Sequence, residues 1–380
     1  MRILILCKNY VDIVGGVEYV TQYLSEQYSL KKHDVHVFAH LNNDTVFHPD
    51  YYGGANIHYI STPHCLLKLK GFILGKIISS LHFSFKSYGL IHRLKPDVIH
   101  VQHTEQSIEA FLARIIDNIP YCIAFHGEWE NGILFPKFLS RIWKYYPNIR
   151  FASCITALTE IRANEIKEGL AYQPLIIPNG VDSKLFYPNS IQTNVSFKPL
   201  KLITVSRLTN VKRINDVIIA LSKAIVVNKN IHLTVVGDGE EADSLKQLVA
   251  ELNLEGNVLF TGFITQEEKI KHLQDSHIFL IPSLYEGFPL TILEAFATSL
   301  PVIATPVSSV SELVIPDKTG FVVPFCSPES ISDTLIKIIN LTSDEYNQMR
   351  ENCRNLAEQY DWGKVAEEYE RIYSNMLIKR

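Results

Sequence analysis

The sequence predicts an α/β protein of two Rossmann-like, doubly wound domains, and three observations carry that reading. Short apolar runs of strand character alternate with helix-length periodic stretches, the signature of βαβ units on a mostly parallel sheet. The alternation breaks once, from Ile176-Ile-Pro-Asn-Gly-Val-Asp182 through Lys184-Leu-Phe-Tyr-Pro188 to the polar segment 189–198, where Pro, Asn and Gly gather and periodicity stops. A chain of 380 residues suits two domains of ordinary size.

The elements follow in order. Arg2-Ile-Leu-Ile-Leu-Cys7 reads as the first strand, Gly15-Gly16 as a turn into a helix from about Val17 to Leu30, and His36-Val-Phe-Ala39 as a short second strand. Asp97-Val-Ile-His-Val101 and Tyr121-Cys-Ile-Ala-Phe125 are further strands. After the break, strands are expected at 202–205, 232–236, 258–261, 278–281 and 301–304, with helices at about 214–228, 241–252, 266–274 and 289–298. The domain limits are therefore 1–185, a linker 186–198, 199–361, and a last helix 362–380 that crosses back to the first domain. Two such domains are expected to face each other across a cleft, with ligands at the carboxyl ends of the strands.

Composition narrows the function. With 47% hydrophobic and 20% charged residues the chain can bury sizeable cores, which excludes global disorder. A net charge of −4 excludes a nucleic-acid binder that works by overall basicity. Residues 1–185 carry 18 Lys/Arg against 16 Asp/Glu, and 186–380 carry 18 against 24. The six cysteines form no CxxC pair and read as reduced thiols of a cytosolic protein. The opening apolar run is too short for a signal peptide and no run approaches 18 apolar residues, so the expected location is cytoplasmic or peripheral on the cytoplasmic membrane face. The peripheral option comes from residues 66–86, inside an acid-free stretch between Asp50 and Asp97. On a helical wheel Lys68, Gly71, Gly75, Ser79, His82 and Lys86 share one face, and Ile73, Leu74, Ile77, Ile78, Leu81 and Phe85 the other, with Lys70 and Ser84 breaking the pattern. Such a helix either binds an anionic membrane surface or packs its apolar face on the domain.

Two motifs carry chemistry. Glu286-Gly-Phe-Pro-Leu-Thr-Ile-Leu-Glu294 follows a strand and sets one carboxylate on a loop and another on a helix, where both can accept hydrogen bonds from sugar hydroxyls. Arg207 and Lys212, in Ser206-Arg-Leu-Thr-Asn-Val-Lys-Arg213, also follow a strand; a guanidinium and an ammonium there can hold a diphosphate. Each has an ordinary alternative, a solvated acid or a basic surface turn. Both fall on strand ends of one domain, which weakens the ordinary reading of the pair. Gly237-Asp-Gly-Glu-Glu-Ala242 matches a dinucleotide-binding pattern on its face but lacks an acid at the end of the next strand, Phe260-Thr-Gly262, and reads as a tight strand-to-helix turn. Gly15-Gly16 offers backbone amides at a helix start to a phosphate, or is a simple helix-entry turn. His126 ends a strand, as a hydrogen-bonding residue or a site residue. No Asp-x-Asp pair occurs.

These motifs, with Ile177-Pro-Asn-Gly-Val-Asp182, Thr319-Gly-Phe321 and Tyr360-Asp-Trp362, resemble the GT-B-fold retaining glycosyltransferases of family 4 (glycosyl transferases group 1). The resemblance implies a retaining, metal-independent hexosyltransferase that uses a nucleotide-diphosphate sugar, a UDP-sugar favoured, as substrate and needs no cofactor. Its acceptor would be a glycan or a lipid-linked molecule in cell-surface polysaccharide or glycolipid synthesis. Carried over, Arg207 and Lys212 clamp the diphosphate, Glu294 binds the ribose, Glu286 contacts the transferred sugar, and Gly262, Phe263 and Ile264 lie near the base. Gly287, Phe288, Pro289 and Leu290 line the donor between the two glutamates, and Gly15 and Gly16 approach it from the first domain. His126 steadies the reacting sugar or acceptor, with His103 and Glu128 on the acceptor side. One departure is Ser308-Ser309 where the family usually shows Gly-Gly. The rival readings are a sugar-nucleotide epimerase of similar build, a catalytically silent partner subunit, and an NAD oxidoreductase.

Overall fold

In a computed structural model of the chain, residues 1–7, 10, 15–41, 49–61, 73–102, 104–126, 147–189, 195–307 and 310–378 are described, with side chains for all of these but 40, 41, 61, 73–83 and 105. The chain divides into two compact units, Met1–Asn179 with Trp362–Arg380, and Gly180–Asp361.

The first unit holds one eight-stranded sheet made of β1 (Arg2–Cys7), β2 (Asp34–Leu41), β3 (Tyr51–Tyr52), β4 (Ala55–Ser61), β5 (Val98–Val101), β6 (Tyr121–Phe125), β7 (Cys154–Ala157) and β8 (Leu175–Ile176). Their order is β3-β4-β2-β1-β5-β6-β7-β8. All pairs are parallel except β3 with β4. Every residue of β5, β6 and β7 is buried, as a sheet covered on both faces requires. The chain leaves β1 for β2 on one side and returns to β5 on the other, so the topology reverses between β1 and β5.

The last helix, Trp362–Ile378, belongs to this unit. The Trp362 ring stacks on Tyr23 of the helix Gly16–Leu30 at 5.4 Å between centroids. Tyr373 Oη lies 3.1 Å from Tyr28 Oη and 2.6 Å from His100 Nδ1, while Tyr369 meets Thr156 at 3.2 Å. Glu370 accepts from Lys31 at 2.6 Å and pairs with His33 at 2.7 Å. Burial, with the nearby His126 adding to it, drives the His100 pKa down to about 3, so this ring packs neutral.

The second unit holds a six-stranded, all-parallel sheet: β9 (Leu200–Val205), β10 (Ile231–Val236), β11 (Val258–Gly262), β12 (Ile278–Ile281), β13 (Val302–Ala304) and β14 (Gly320–Val322), in the order β11-β10-β9-β12-β13-β14. Helices Ile214–Val227, Ala242–Glu251, Gln266–Gln274 and Leu290–Ala297 connect successive strands where periodicity places them. A capping box at Thr265 and Glu268 starts the third of these. Here the topology reverses between β9 and β12, which opens a crevice at their carboxyl ends.

Two expectations need correction. The described residues of the expected linker, 186–189 and 195–198, pack with the second unit: Phe186 and Phe197 are buried, and the Arg354 guanidinium donates to the carbonyls of Phe186, Ser183 and Ala297. The apolar face drawn for 66–86 does not hold at its end. Residues 66–72 lie outside the described ones, and the backbone is helical over Ile73–Leu94. There Ser84 and Ser87 are buried while Phe85 is 64% exposed. Ser84 turns inward because its hydroxyl donates to Glu109 Oε1 at 3.1 Å, a carboxyl buried on the helix Ser107–Asp117. Among the described residues no helix is long and apolar enough to cross a membrane.

Candidate active site

In the second unit the reversal between β9 and β12 gathers the residues of both motifs. Arg207 follows β9, and Glu286 follows β12, the adjacent strand. Lys212 closes a short 3-10 turn, Asn210–Lys212, and its Nζ lies 2.7 Å from Glu286 Oε1. The same oxygen accepts from Ser283 Oγ at 2.6 Å, and Thr305 Oγ1 donates to the Ser283 carbonyl. A main-chain bond from Leu284 N to Val211 O, 2.9 Å, ties the two loops. Glu286 is thus a buried acid, held from both loops.

The Arg207 guanidinium is exposed and makes no hydrogen bond or ion pair among the described residues. Arg213, the next arginine, is consumed locally: it forks onto Asp216 with bonds of 2.9 and 2.8 Å. Of the two arginines, Arg207 is therefore the one available to an anion.

The loop that carries Arg207 is braced by the 237–239 turn. Leu208 N donates to Asp238 O at 2.9 Å and Glu241 N to Leu208 O at 3.0 Å. Gly237 has φ +123°, and a Cβ there would lie 3.0 Å from the Ser206 carbonyl carbon and closer still to its oxygen. At Gly239 a Cβ would lie 2.8 Å from the Leu208 carbonyl carbon. These glycines let backbone approach backbone, which accounts for both of them without a dinucleotide.

Glu294 lies on the helix Leu290–Ala297, with its Oε1 2.7 Å from Lys269 Nζ. Its Oε2 is buried with no hydrogen-bond partner among the described residues. Gly262, Phe263 and Ile264 follow β11, with Phe263 77% exposed. Gly287, Phe288 and Pro289 run from Glu286 to the helix that starts at Leu290, and Phe288 is buried against Tyr360, with ring centroids 6.4 Å apart. Two surface cavities, of about 280 and 380 Å³, open at the amino-terminal edge of this sheet around His277 and His232 and are remote from these residues in the sheet.

In the first unit, His126 follows β6 and its Nε2 is hydrogen-bonded to Gln102 Oε1, which follows the neighbouring β5. Gln102 is fully buried, and its Nε2 has no partner among the described residues. Gly15 caps the helix Gly16–Leu30, and the Glu18 carboxylate folds back over it. That helix start therefore already faces an acid of its own chain. His103 and Glu128 lie outside the described residues, as do Ser308 and Ser309.

Three residues have no signal in the sequence. Lys269 is 25 positions from Glu294, Ser283 is one of several loop hydroxyls, and Gln102 reads as a strand-end residue. The strand order brings Gln102 beside His126, and helix packing brings Lys269 to Glu294, while Ser283 meets Glu286 within one loop.

Two Rossmann-like units whose candidate residues follow the carboxyl ends of parallel strands define the GT-B fold. Within that class the chain belongs to the family described by two models, Glycosyltransferase Family 4 over residues 14–185 and Glycosyl transferases group 1 over 189–356. It is 28% identical over 292 residues to the N-acetyl-alpha-D-glucosaminyl L-malate synthase of Bacillus anthracis, covering 74% of this chain and 75% of that one. It is 28% identical over 329 residues to a UDP-Gal:alpha-D-GlcNAc-diphosphoundecaprenol alpha-1,3-galactosyltransferase of Escherichia coli, covering 80% and 82%. Among solved structures, Anabaena HepE in complex with UDP superposes with a TM-score of 0.79 at 18% identity, over 99% of this chain and all of that one. Sucrose-phosphate synthase of Thermosynechococcus elongatus does so with a TM-score of 0.78 at 20% identity, over the whole of both chains.

Proposed function

We propose that this glycosyltransferase moves a hexose-type sugar, with retention of configuration, from a nucleotide-diphosphate sugar to a glycan or lipid-linked acceptor in cell-surface polysaccharide or glycolipid synthesis. A UDP-sugar is the favoured donor: the galactosyltransferase relative is named for UDP-Gal, and the HepE structure holds UDP. The observation that carries the reading is the strand-end group in the second unit: the Lys212–Glu286 pair, with Arg207 and a Glu294 oxygen that have no partner among the described residues.

The roles follow from the chemistry of each group. Arg207 and Lys212 take the charge that builds on the departing diphosphate, so cationic side chains serve where other transferases use a metal. Lys212 is shared between the phosphate and Glu286. Ser283 fixes the Glu286 carboxylate, which accepts from hydroxyls of the transferred sugar. Glu294 takes the ribose, and Phe263 lies beside the base. His126, steadied by Gln102 in the first unit, is assigned to the reacting sugar or acceptor. Front-face attack, on the side of the leaving group, gives retention without a covalent intermediate.

The test is a donor panel: purified protein with UDP-, GDP- and ADP-sugars, with and without membrane extract, read by thermal shift and by release of nucleoside diphosphate. Proton NMR of the product reads the anomer. No response to any donor would sink the transferase reading; turnover of the donor without an acceptor into an epimer would replace it with an epimerase. Attachment of residues 66–86 to an anionic membrane surface is a separate part of the proposal. Co-sedimentation with anionic vesicles should fall on changing Lys68, Lys70, Lys76 and Lys86 together to Glu, and equal pelleting removes it.

A further inference from the structure

We infer that Lys269 is a positioning residue of the donor site, holding the Glu294 carboxylate in register so that its second oxygen is reserved for the ribose hydroxyls. The inference rests on the proposed reading that Glu294 binds the ribose. Lys269 comes from the helix Gln266–Gln274, which joins β11 to β12. Its ammonium is set between two groups. On one side Glu294 Oε1 lies 2.7 Å away, and on the other the ring of Phe186 has its centroid at 5.1 Å. The pair is largely out of water, with side-chain exposures of 17% for Lys269 and 14% for Glu294.

Two facts separate this pair from an ordinary structural ion pair. The first is what it leaves undone. Lys269 binds one carboxylate oxygen, and the other is buried with no hydrogen-bond partner among the described residues. A buried acceptor is seldom left open, because it has lost its water without replacement. An oxygen with two lone pairs suits the two adjacent hydroxyls of a ribose. The second is what holds the lysine. The Phe186 ring faces the ammonium and Arg354 binds the Phe186 carbonyl, so the cation has a fixed seat. Without the cation the carboxylate loses the partner that fixes its orientation and is free to turn.

The experiment measures binding by calorimetry, with UDP, GDP and ADP tried first and the tightest taken forward beside its 2′,3′-dideoxy analogue. In the wild type, loss of the ribose hydroxyls is expected to weaken binding roughly ten- to a hundred-fold, as for hydrogen bonds to a charged group. In Lys269→Met the two ligands should bind within about three-fold of each other, as in Glu294→Gln. Lys269→Gln is read by the same ratio, so that a poorly folded Met variant does not stall the test. A change in fold stability alone would weaken both ligands equally and leave the ratio where it was. If Glu294→Gln loses discrimination while both Lys269 variants keep ten-fold or more, Lys269 has no positioning role. If the wild type itself does not discriminate, the ribose reading of Glu294 falls, and this inference with it.

Discussion

Replacing Gly237 by alanine tests whether the 237–239 turn sets the position of Arg207. The residue sits at φ +123°, where an L side chain is strained by about 1–3 kcal/mol. The new Cβ would stand 3.0 Å from the Ser206 carbonyl carbon, inside the ordinary carbon–carbon separation of about 3.5–4 Å. The neighbouring chain must then move by about 0.5–1 Å, and overpacking of that kind costs about 1–3 kcal/mol more. Together these give a loss of roughly 2–6 kcal/mol, or a fall in Tm of roughly 4–24 °C for a unit of this size. Ser206 is the residue before Arg207, so the shift passes to the guanidinium. A displacement near 1 Å costs about 10²-fold in turnover where reacting groups must align. The assay is thermal unfolding beside release of nucleoside diphosphate from the donor. Gly256→Ala is the control, because no atom stands within 4 Å of its Cβ. A Gly237→Ala protein with wild-type Tm and wild-type turnover would refute the bracing argument.

Three further outcomes are expected. Arg207→Ala should raise the Kd for the nucleoside diphosphate roughly 10–100-fold with little change in Tm, because its guanidinium makes no bond among the described residues; Arg213→Ala should instead lower Tm, because it strips the partner from buried Asp216. Burial pushes the Glu109 carboxyl up to about 7, so the folded state retains a proton that the unfolded chain gives up near 4.5. Stability from this group is full below pH 4.5 and is lost as pH rises to about 7, by roughly 3 kcal/mol, and urea titrations of Glu109→Gln should lack that decline. Tyr373→Phe removes the hydroxyl between His100 and Tyr28 and should destabilise the first unit by roughly 1–3 kcal/mol, with calorimetry showing the second unit unchanged.

The fold was legible in the longer runs where burial is complete, though the four-residue strand Cys154–Ala157, equally buried, was not foreseen. The runs Val98–Val101 and Tyr121–Phe125 are apolar because both faces of the sheet are covered, and nothing in them points elsewhere. The strands at the sheet edge were not foreseen. Ala55–Ser61 mixes Asn56, His58 and Tyr59 into its run, and Leu175–Ile176 is too short and exposed to register as a strand. The wheel drawn over 66–86 failed at Phe85, set on the apolar face yet 64% exposed, while Ser84, which breaks its pattern, turns inward to give a buried carboxyl a donor. Arg207, Lys212, Glu286 and Glu294 stood out because they follow strands at fixed spacing. Gln102 and Lys269 did not, since each matters only through a residue that follows another strand or lies on another helix, and Ser283 did not because a loop hydroxyl carries no pattern of its own.

The first unit is assembled from both sides of the second in sequence, residues 1–179 and 362–380. During synthesis the order of completion is therefore reversed. Residues 180–361 leave the ribosome as a full unit, while the earlier-made unit waits for the segment that bears Tyr369 and Tyr373. Until then the face around Tyr28, His100 and Thr156 lacks the tyrosines that cover it and bond to it. A ribosome pause before residue 362 would hold the first unit with that apolar face uncovered while the second unit is already complete.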